Sequence, residues 1–275
     1  SAQGFTDNVI NPAMPGTDAF VLALVREVRR LHALAGVPLK VLHIGGDEVP
    51  AGAWEASPAV SDTMAREGTT GPAKPAMWHR FFDHTLLTLQ SEGIAAMGWE
   101  ELALVPGSTN GEVSTRYADH GPTIEIWNDF PGSEGLPVKL ANAGFKVVAA
   151  PAHALYFDMA QSSDPAEPGH DWARILPLDA VWAFDPLAKG AAIPPLSESG
   201  RANLLGIEAT LFAETVREPW RIDHMLMPRL LAMAERGWSR SPDWLDGADA
   251  NRNDALKAAG WAAFVARLGD KTLPY

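Results

Sequence analysis

Cysteine is absent from the 275 residues, which excludes disulfides and thiolate chemistry but suits an oxidising or a reducing compartment equally. No run of 18 apolar residues occurs, so no segment reads as a membrane-spanning helix. Cations are scarce: 22 Lys and Arg stand against 34 Asp and Glu, a net charge of -12. That balance argues against nucleic acid or an anionic membrane as partner. No charged-then-apolar leader opens the chain, and the expectation is that any export signal was removed or never present. Tyrosine is rare, with three, whereas tryptophan numbers ten. Indoles fill cores and also stack on rings of ligands, and both uses stay open. With 47% hydrophobic residues, the chain can bury a large core, as one large α/β domain or two small ones.

What is present centres on Val41-Leu42-His43-Ile44-Gly45-Gly46-Asp47-Glu48. An apolar run from Leu39 to Ile44 predicts a buried strand, and it stops at two glycines followed by two carboxylates. Strict alternation would send Asp47 and Glu48 to opposite faces. Gly45 and Gly46 let the backbone leave extended geometry, so that both acids can reach one ligand. Such a string is also compatible with a surface turn bearing two solvated acids. The six-position pattern His-x-Gly-Gly-Asp-Glu, however, arises by chance in roughly one in ten thousand chains of this size.

Around this stretch, strands and helices alternate. Asn11-Pro12 and Pro15-Gly16 make residues 1–16 a loop, and Thr17 or Asp18 opens a helix to about Ala35. Residues 49–77, rich in Pro, Gly, Ser and Ala, read as a long loop. A helix from Trp78 to about Ser91 leads to a strand, Ile94 to Glu101. Further strands are predicted at Thr123–Asp129, Lys146–Ala150 and Leu204–Phe212, the last ending near Glu214. A helix spans Leu136 to Asn142, and residues 160–200 read as Pro- and Asp-rich loop with at most short helices. One amphipathic helix covers Ile222 to Trp238, and another runs from near Asp254 to Leu268. This five-fold repeat of strand and helix indicates an α/β fold.

His43-Ile44-Gly45-Gly46-Asp47-Glu48 resembles the signature of glycoside hydrolase family 20, the β-N-acetylhexosaminidases, and particularly its bacterial chitobiase-like members. The resemblance runs along nearly the whole chain. It implies a (β/α)8 TIM-barrel catalytic domain, with residues 1–275 supplying about strands 4 to 8. Five strands cannot close an eight-stranded barrel, so the first three strands and a preceding smaller α/β domain are expected upstream, in the same protein or in another chain. The implied activity is removal of terminal non-reducing N-acetylhexosamine from chitobiose-like oligosaccharides or glycans, without a cofactor or metal, in a periplasmic or secreted enzyme. Alone, these residues are expected to have little or no activity.

The resemblance also implies roles. Family 20 is a substrate-assisted exception among glycosidases, the 2-acetamido oxygen attacking the anomeric carbon to give an oxazolinium intermediate. Glu48 matches the general acid and later base, Asp47 the carboxylate that holds the acetamido N–H, and Tyr156 the tyrosine that bonds the acetamido oxygen, within a Tyr-x-Asp motif. Asp158 and Glu214 match carboxylates that bind sugar hydroxyls. Trp78 and Trp99 match two of three aromatics boxing the acetamido group; the third, ordinarily Trp in Trp-x-Glu, is Phe212 here, a smaller π-face without an N–H. Trp172 resembles the tryptophan that stacks on the leaving sugar. Trp127 reads as core support, and His43 and His153 as hydrogen-bonding supports. An arginine that the family draws from its first strand has no counterpart here.

Three rivals are weighed beside this reading. Gly45-Gly46-Asp47-Glu48 also begins the Gly-Gly-Asp-Glu-Phe signature of diguanylate cyclases, but Val49 takes the fifth place and no phosphate-gripping basic cluster is evident. A non-catalytic carbohydrate-binding remnant would keep the tryptophans without needing the acids. Metal-dependent hydrolysis through His43 and Asp47 lacks further ligands at convincing spacing.

Overall fold

The computed structural model describes residues 9–108, 111–128, 130–187, 193–239, 243–246 and 250–269. The chain divides into two compact units, residues 1–125 with 143–146, and residues 126–142 with 147–275. The first holds helix α1 (Thr17–Leu34), strand β1 (Val41–His43), helices α2 (Pro58–Glu67) and α3 (Ala73–Ser91), strand β2 (Ala95–Trp99) and most of β3 (Thr123–Ile126). Burial at Trp78, Phe82, Leu86 and Leu89, spaced by four, four and three, gives α3 its inward stripe. Across from it, Arg26 and Arg29 of α1 bond the Glu92 carboxylate at 2.8 and 2.6 Å. β1 pairs parallel with β2, His43 opposite Met97, and β2 pairs parallel with β3, Trp99 opposite Glu125.

Gly98 of β2 has no room for a side chain. A Cβ there would stand 2.3 Å from Leu102 Cδ1 and 2.7 Å from the Gly45 carbonyl oxygen. The second contact is with backbone, which cannot swing away. Gly98→Ala is therefore expected to destabilise the fold by about 1–3 kcal/mol, read as a lower Tm, and to push the Gly45-Gly46 bend outward. A Tm equal to wild type would show that the close approach is dispensable.

The second unit holds α4 (Leu136–Asn142), most of β4 (Lys146–Ala149), α5 (Ala152–Leu155), α6 (Leu178–Trp182), α7 (Glu198–Asn203), β5 (Leu204–Ile207), α8 (Pro219–Leu226), α9 (Arg229–Trp238), α10 (Asp243–Asp246) and α11 (Ala250–Gly269). β4 and β5 pair in parallel, Val147 opposite Leu204 and Val148 opposite Gly206, with a register shift between them. Leu155, Phe157, Met159, Leu176, Val181 and Trp182 form the centre of the unit's core. Ser197 caps α7, its Oγ accepting from the Gly200 amide.

Several elements differ from expectation. Residues 49–77 are not all loop: Pro58 opens α2 and left-handed Gly68 (φ 64°) closes it, the usual Pro-start and Gly-stop asymmetry. α3 begins at Ala73, five residues ahead of Trp78. The single helix from Ile222 to Trp238 is two, α8 and α9, because Pro228 lacks an N–H and Met227 before it is extended. The strand from Leu204 ends at Ile207, and Phe212 lies beyond it. Of the segments expected above, residues 1–8 of the opening loop, Asp129 and residues 188–192 lie outside the described residues.

Candidate active site

In the first unit the bend after β1 is built by its glycines. Gly45 and Gly46 have φ of 72° and 126°, and Glu48 has φ of 49°. Only glycine adopts the first two at no steric cost. A glutamate in the left-handed region is held there by its surroundings, a kind of strain that gathers at functional sites. Trp99 N–H donates to the Gly45 carbonyl at 3.0 Å, and the Trp78 indole N–H donates to the Gly46 carbonyl at 3.1 Å. Trp78 is thus a brace for the turn as well as an aromatic wall: it is 6% exposed, with Phe82 at a centroid distance of 4.4 Å. A cavity of about 300 Å³ opens beside Glu48, walled by Gly46, Val49, Lys74, Trp78 and Leu104.

His43 is the last residue of β1. Its Nδ1 accepts from the Gly45 amide at 3.2 Å, which leaves the proton on Nε2, and Nε2 lies 3.3 Å from Glu125 Oε2. The ring meets Trp99 edge-on at 4.9 Å. His43 thus bonds the backbone of the bend and packs edge-on against Trp99. Burial pushes the Asp47 carboxyl above its ordinary value and the neighbouring Glu48 charge adds to the shift, with a backbone hydrogen bond and His43 opposing them.

The second unit gathers a different set. The Tyr156 ring, nearly buried, has Phe212 at 5.2 Å and Trp172 at 6.1 Å, both near edge-on. Trp172 also meets Trp127 at 6.4 Å and Phe130 at 6.2 Å, and with 54% of its surface exposed it is open to a ligand. Trp127 packs partly buried against the core. Asp158 is 2% exposed, and its Oδ1 is buried without a partner among the described residues. Burial raises its pKa, amide hydrogen bonds from its own backbone and from Phe212 lower it, and Glu214 raises it again. Glu214 itself is exposed. His153 lies edge-on to Phe130 at 6.3 Å and on the wall of a cavity of about 670 Å³ with Arg174, Asp179, Trp182, Lys257 and Trp261.

Two residues were not anticipated from sequence. Glu125 is buried between Ile124 and Ile126, a charge inside an apolar strand, and that placement was the available signal. Arg229 is fully buried in the second unit, and nothing in its local sequence marks it. Among the described residues no group of three or more His, Cys, Asp or Glu could hold a metal ion, and no helix is long and apolar enough to cross a membrane.

The model of the glycosyl hydrolase family 20 catalytic domain matches residues 1–241. The chain belongs to that family. Among curated relatives, a β-hexosaminidase of Vibrio furnissii is 35% identical over 241 residues, covering 86% of this chain and 35% of the relative. The N,N'-diacetylchitobiase of Vibrio harveyi is 26% identical over 279 residues, covering 86% of this chain and 30% of that protein. Among solved structures, a family 20 exo-β-N-acetylglucosaminidase from Vibrio harveyi in complex with N-acetylglucosamine superposes with a TM-score of 0.72 at 33% identity, over 98% of this chain and 37% of that one. The domain is therefore α/β, of TIM-barrel type. The chain spans about a third of the length of the curated relatives it matches.

Proposed function

We propose that this chain supplies about strands 4 to 8 of a (β/α)8 catalytic barrel, in an enzyme that removes terminal non-reducing N-acetyl-β-D-hexosamine from chitobiose-like oligosaccharides or glycans. The observation that carries this reading is the acid pair on the Gly45-Gly46 bend, at the carboxyl end of a parallel strand, in a family 20 match. Barrel enzymes act at that end of their strands. The partial barrel is supported by unfinished surfaces. Among the described residues β1 pairs with β2 alone and β5 with β4 alone. Phe20, Leu24, Leu31 and Leu34 of α1 and Val41 of β1 are exposed apolar residues, surface that upstream β/α units would cover.

The chemistry follows from the acids. The acetamido oxygen of the substrate attacks the anomeric carbon as the glycosidic bond breaks, and Glu48 gives its proton to the departing oxygen. Asp47, ionised, accepts the acetamido N–H and offsets the positive charge that spreads over the oxazolinium ring. The Tyr156 hydroxyl donates to the acetamido oxygen and aligns it. Glu48, now a carboxylate, takes a proton from water as that water opens the ring, so the β configuration is retained. Asp158 and Glu214 hold sugar hydroxyls, Trp78, Trp99 and Phe212 enclose the N-acetyl group, and Trp172 stacks on the leaving sugar. A periplasmic or secreted location suits this substrate.

The full-length enzyme should release the chromophore from an aryl N-acetyl-β-glucosaminide at least about a thousandfold faster than from the plain glucoside, because only the former carries its own nucleophile in place. This chain alone should show no turnover, and co-expression with the upstream part of the domain should restore it. Comparable rates on both sugars would sink acetamido participation. Sugar binding without cleavage by the full-length protein would point to a non-catalytic remnant.

A further inference from the structure

The residues Tyr156-Phe157-Asp158-Met159 form a turn, closed by the Met159 amide on the Tyr156 carbonyl at 3.1 Å. It runs between two isolated bridges, Tyr156 with Thr210 and Met159 with His170. Every backbone carbonyl in a buried turn needs a donor. That of Asp158 accepts from the His170 amide at 2.8 Å, and that of Ala160, next along the chain, from the Leu176 amide at 2.8 Å. The carbonyls of Phe157 and Met159 are met by a side chain instead: Arg229 Nη2 donates to Phe157 O at 2.6 Å and Nη1 to Met159 O at 2.8 Å.

Arg229, the first residue of α9, completes its donors on Leu176 O at 3.2 Å and on Met225 O at 3.0 and 2.5 Å. It is 0% exposed, and the Phe157 ring lies 5.0 Å from its guanidinium carbon. Burial lowers its pKa to about 10, with Glu167 and Asp158 opposing the shift, so it remains a cation at neutral pH. A desolvated cation bonded only to carbonyls is a costly way to fill space, and an apolar side chain of similar volume does so at less cost. What the guanidinium adds is geometry: a rigid planar fork that reaches two carbonyls of one turn at once.

We propose that Arg229 is a positioning residue that fixes this turn before substrate arrives, setting the Tyr156 hydroxyl and the Asp158 carboxylate where the sugar meets them. The proposal rests on the assignment of those two residues to substrate. Lysine keeps the charge but offers a single point donor group, so it cannot hold both carbonyls in the same plane.

The test is a mutant cycle in the full-length enzyme, with kcat/KM on an aryl N-acetyl-β-glucosaminide measured per folded molecule. Arg229→Lys should lose about ten- to a hundredfold, the scale of a misplaced site group. In an Asp158→Asn, Tyr156→Phe background the same change should cost less than about twofold, because both groups it positions are already disabled. Equal losses in both backgrounds, with Asp158→Asn and Tyr156→Phe each impaired, would overturn the clamp alone. Full activity of Asp158→Asn and Tyr156→Phe would instead sink the assignment of the turn to substrate, and the clamp with it. A measurement on the wild type does not depend on the variants folding: amide exchange at Phe157, Met159 and Ala160 in the ligand-free enzyme should be as slow as in β4. Loop-like exchange that slows only on addition of N-acetylglucosamine would overturn the proposal.

Discussion

Glu48→Gln in the full-length enzyme should lower kcat on an ordinary aryl N-acetyl-β-glucosaminide by about a thousandfold, within the range of a lost general acid. Glutamine matches glutamate in shape and has no proton to give. The backbone gives no reason for the fold to change, since φ at position 48 is 49° and neither side chain is β-branched. The loss should therefore be chemical, and it should depend on the leaving group. A dinitrophenolate departs without protonation, so on that substrate the first step in Glu48→Gln should approach wild type, and deglycosylation, which still needs a base, should become limiting. A burst of phenolate followed by a slow steady state is the expected trace. A uniform loss across leaving groups would mean that Glu48 acts by some other route, and an undiminished kcat would remove it from the mechanism.

How much of this was legible beforehand depended on the range of the interactions involved. The Gly45-Gly46 bend could be read from adjacent residues because the requirement for positive φ is local. The bracing of that bend was not: the Trp78 indole reaches the Gly46 carbonyl across 32 positions, and sequence showed only an aromatic near a helix start. Arg229 was less visible still, because its partners at Phe157 and Met159 are 72 and 70 residues away and are backbone atoms common to every residue type. The α2 helix was hidden by composition, since Pro, Ala and Ser also describe a loop, and its ends were decided by Pro58 and Gly68. In Ile222–Trp238 the amphipathic period continues through Pro228, so the pattern of side chains runs on where the helix breaks. Periodicity reports which side faces the core; it does not report whether the backbone bonds are continuous.

Asp47→Asn should cost about a hundred- to a thousandfold in kcat, the scale of removing one preorganised group from a developing charge. In the proposed mechanism the carboxylate has two tasks that asparagine fails: accepting the acetamido N–H at full strength and opposing the positive charge of the oxazolinium. Burial first, and then the Glu48 charge, holds the Asp47 pKa above 3.8. The carboxylate is ionised only above that raised pKa, so wild-type kcat should fall as the pH drops through it, and this acid limb should be missing from Asp47→Asn. The contrast with Glu48→Gln is the sharper test. Protonation of the leaving oxygen becomes unnecessary with a good leaving group, but in the proposed mechanism attack by the acetamido oxygen is part of the bond-breaking step whatever departs. The Asp47→Asn loss should therefore persist on the dinitrophenyl substrate, and the preference for the N-acetyl sugar over the plain glucoside should narrow by a similar factor. If a good leaving group rescued both variants equally, the two acids would share one role, and a nucleophile supplied by the substrate would no longer be needed to explain the reaction.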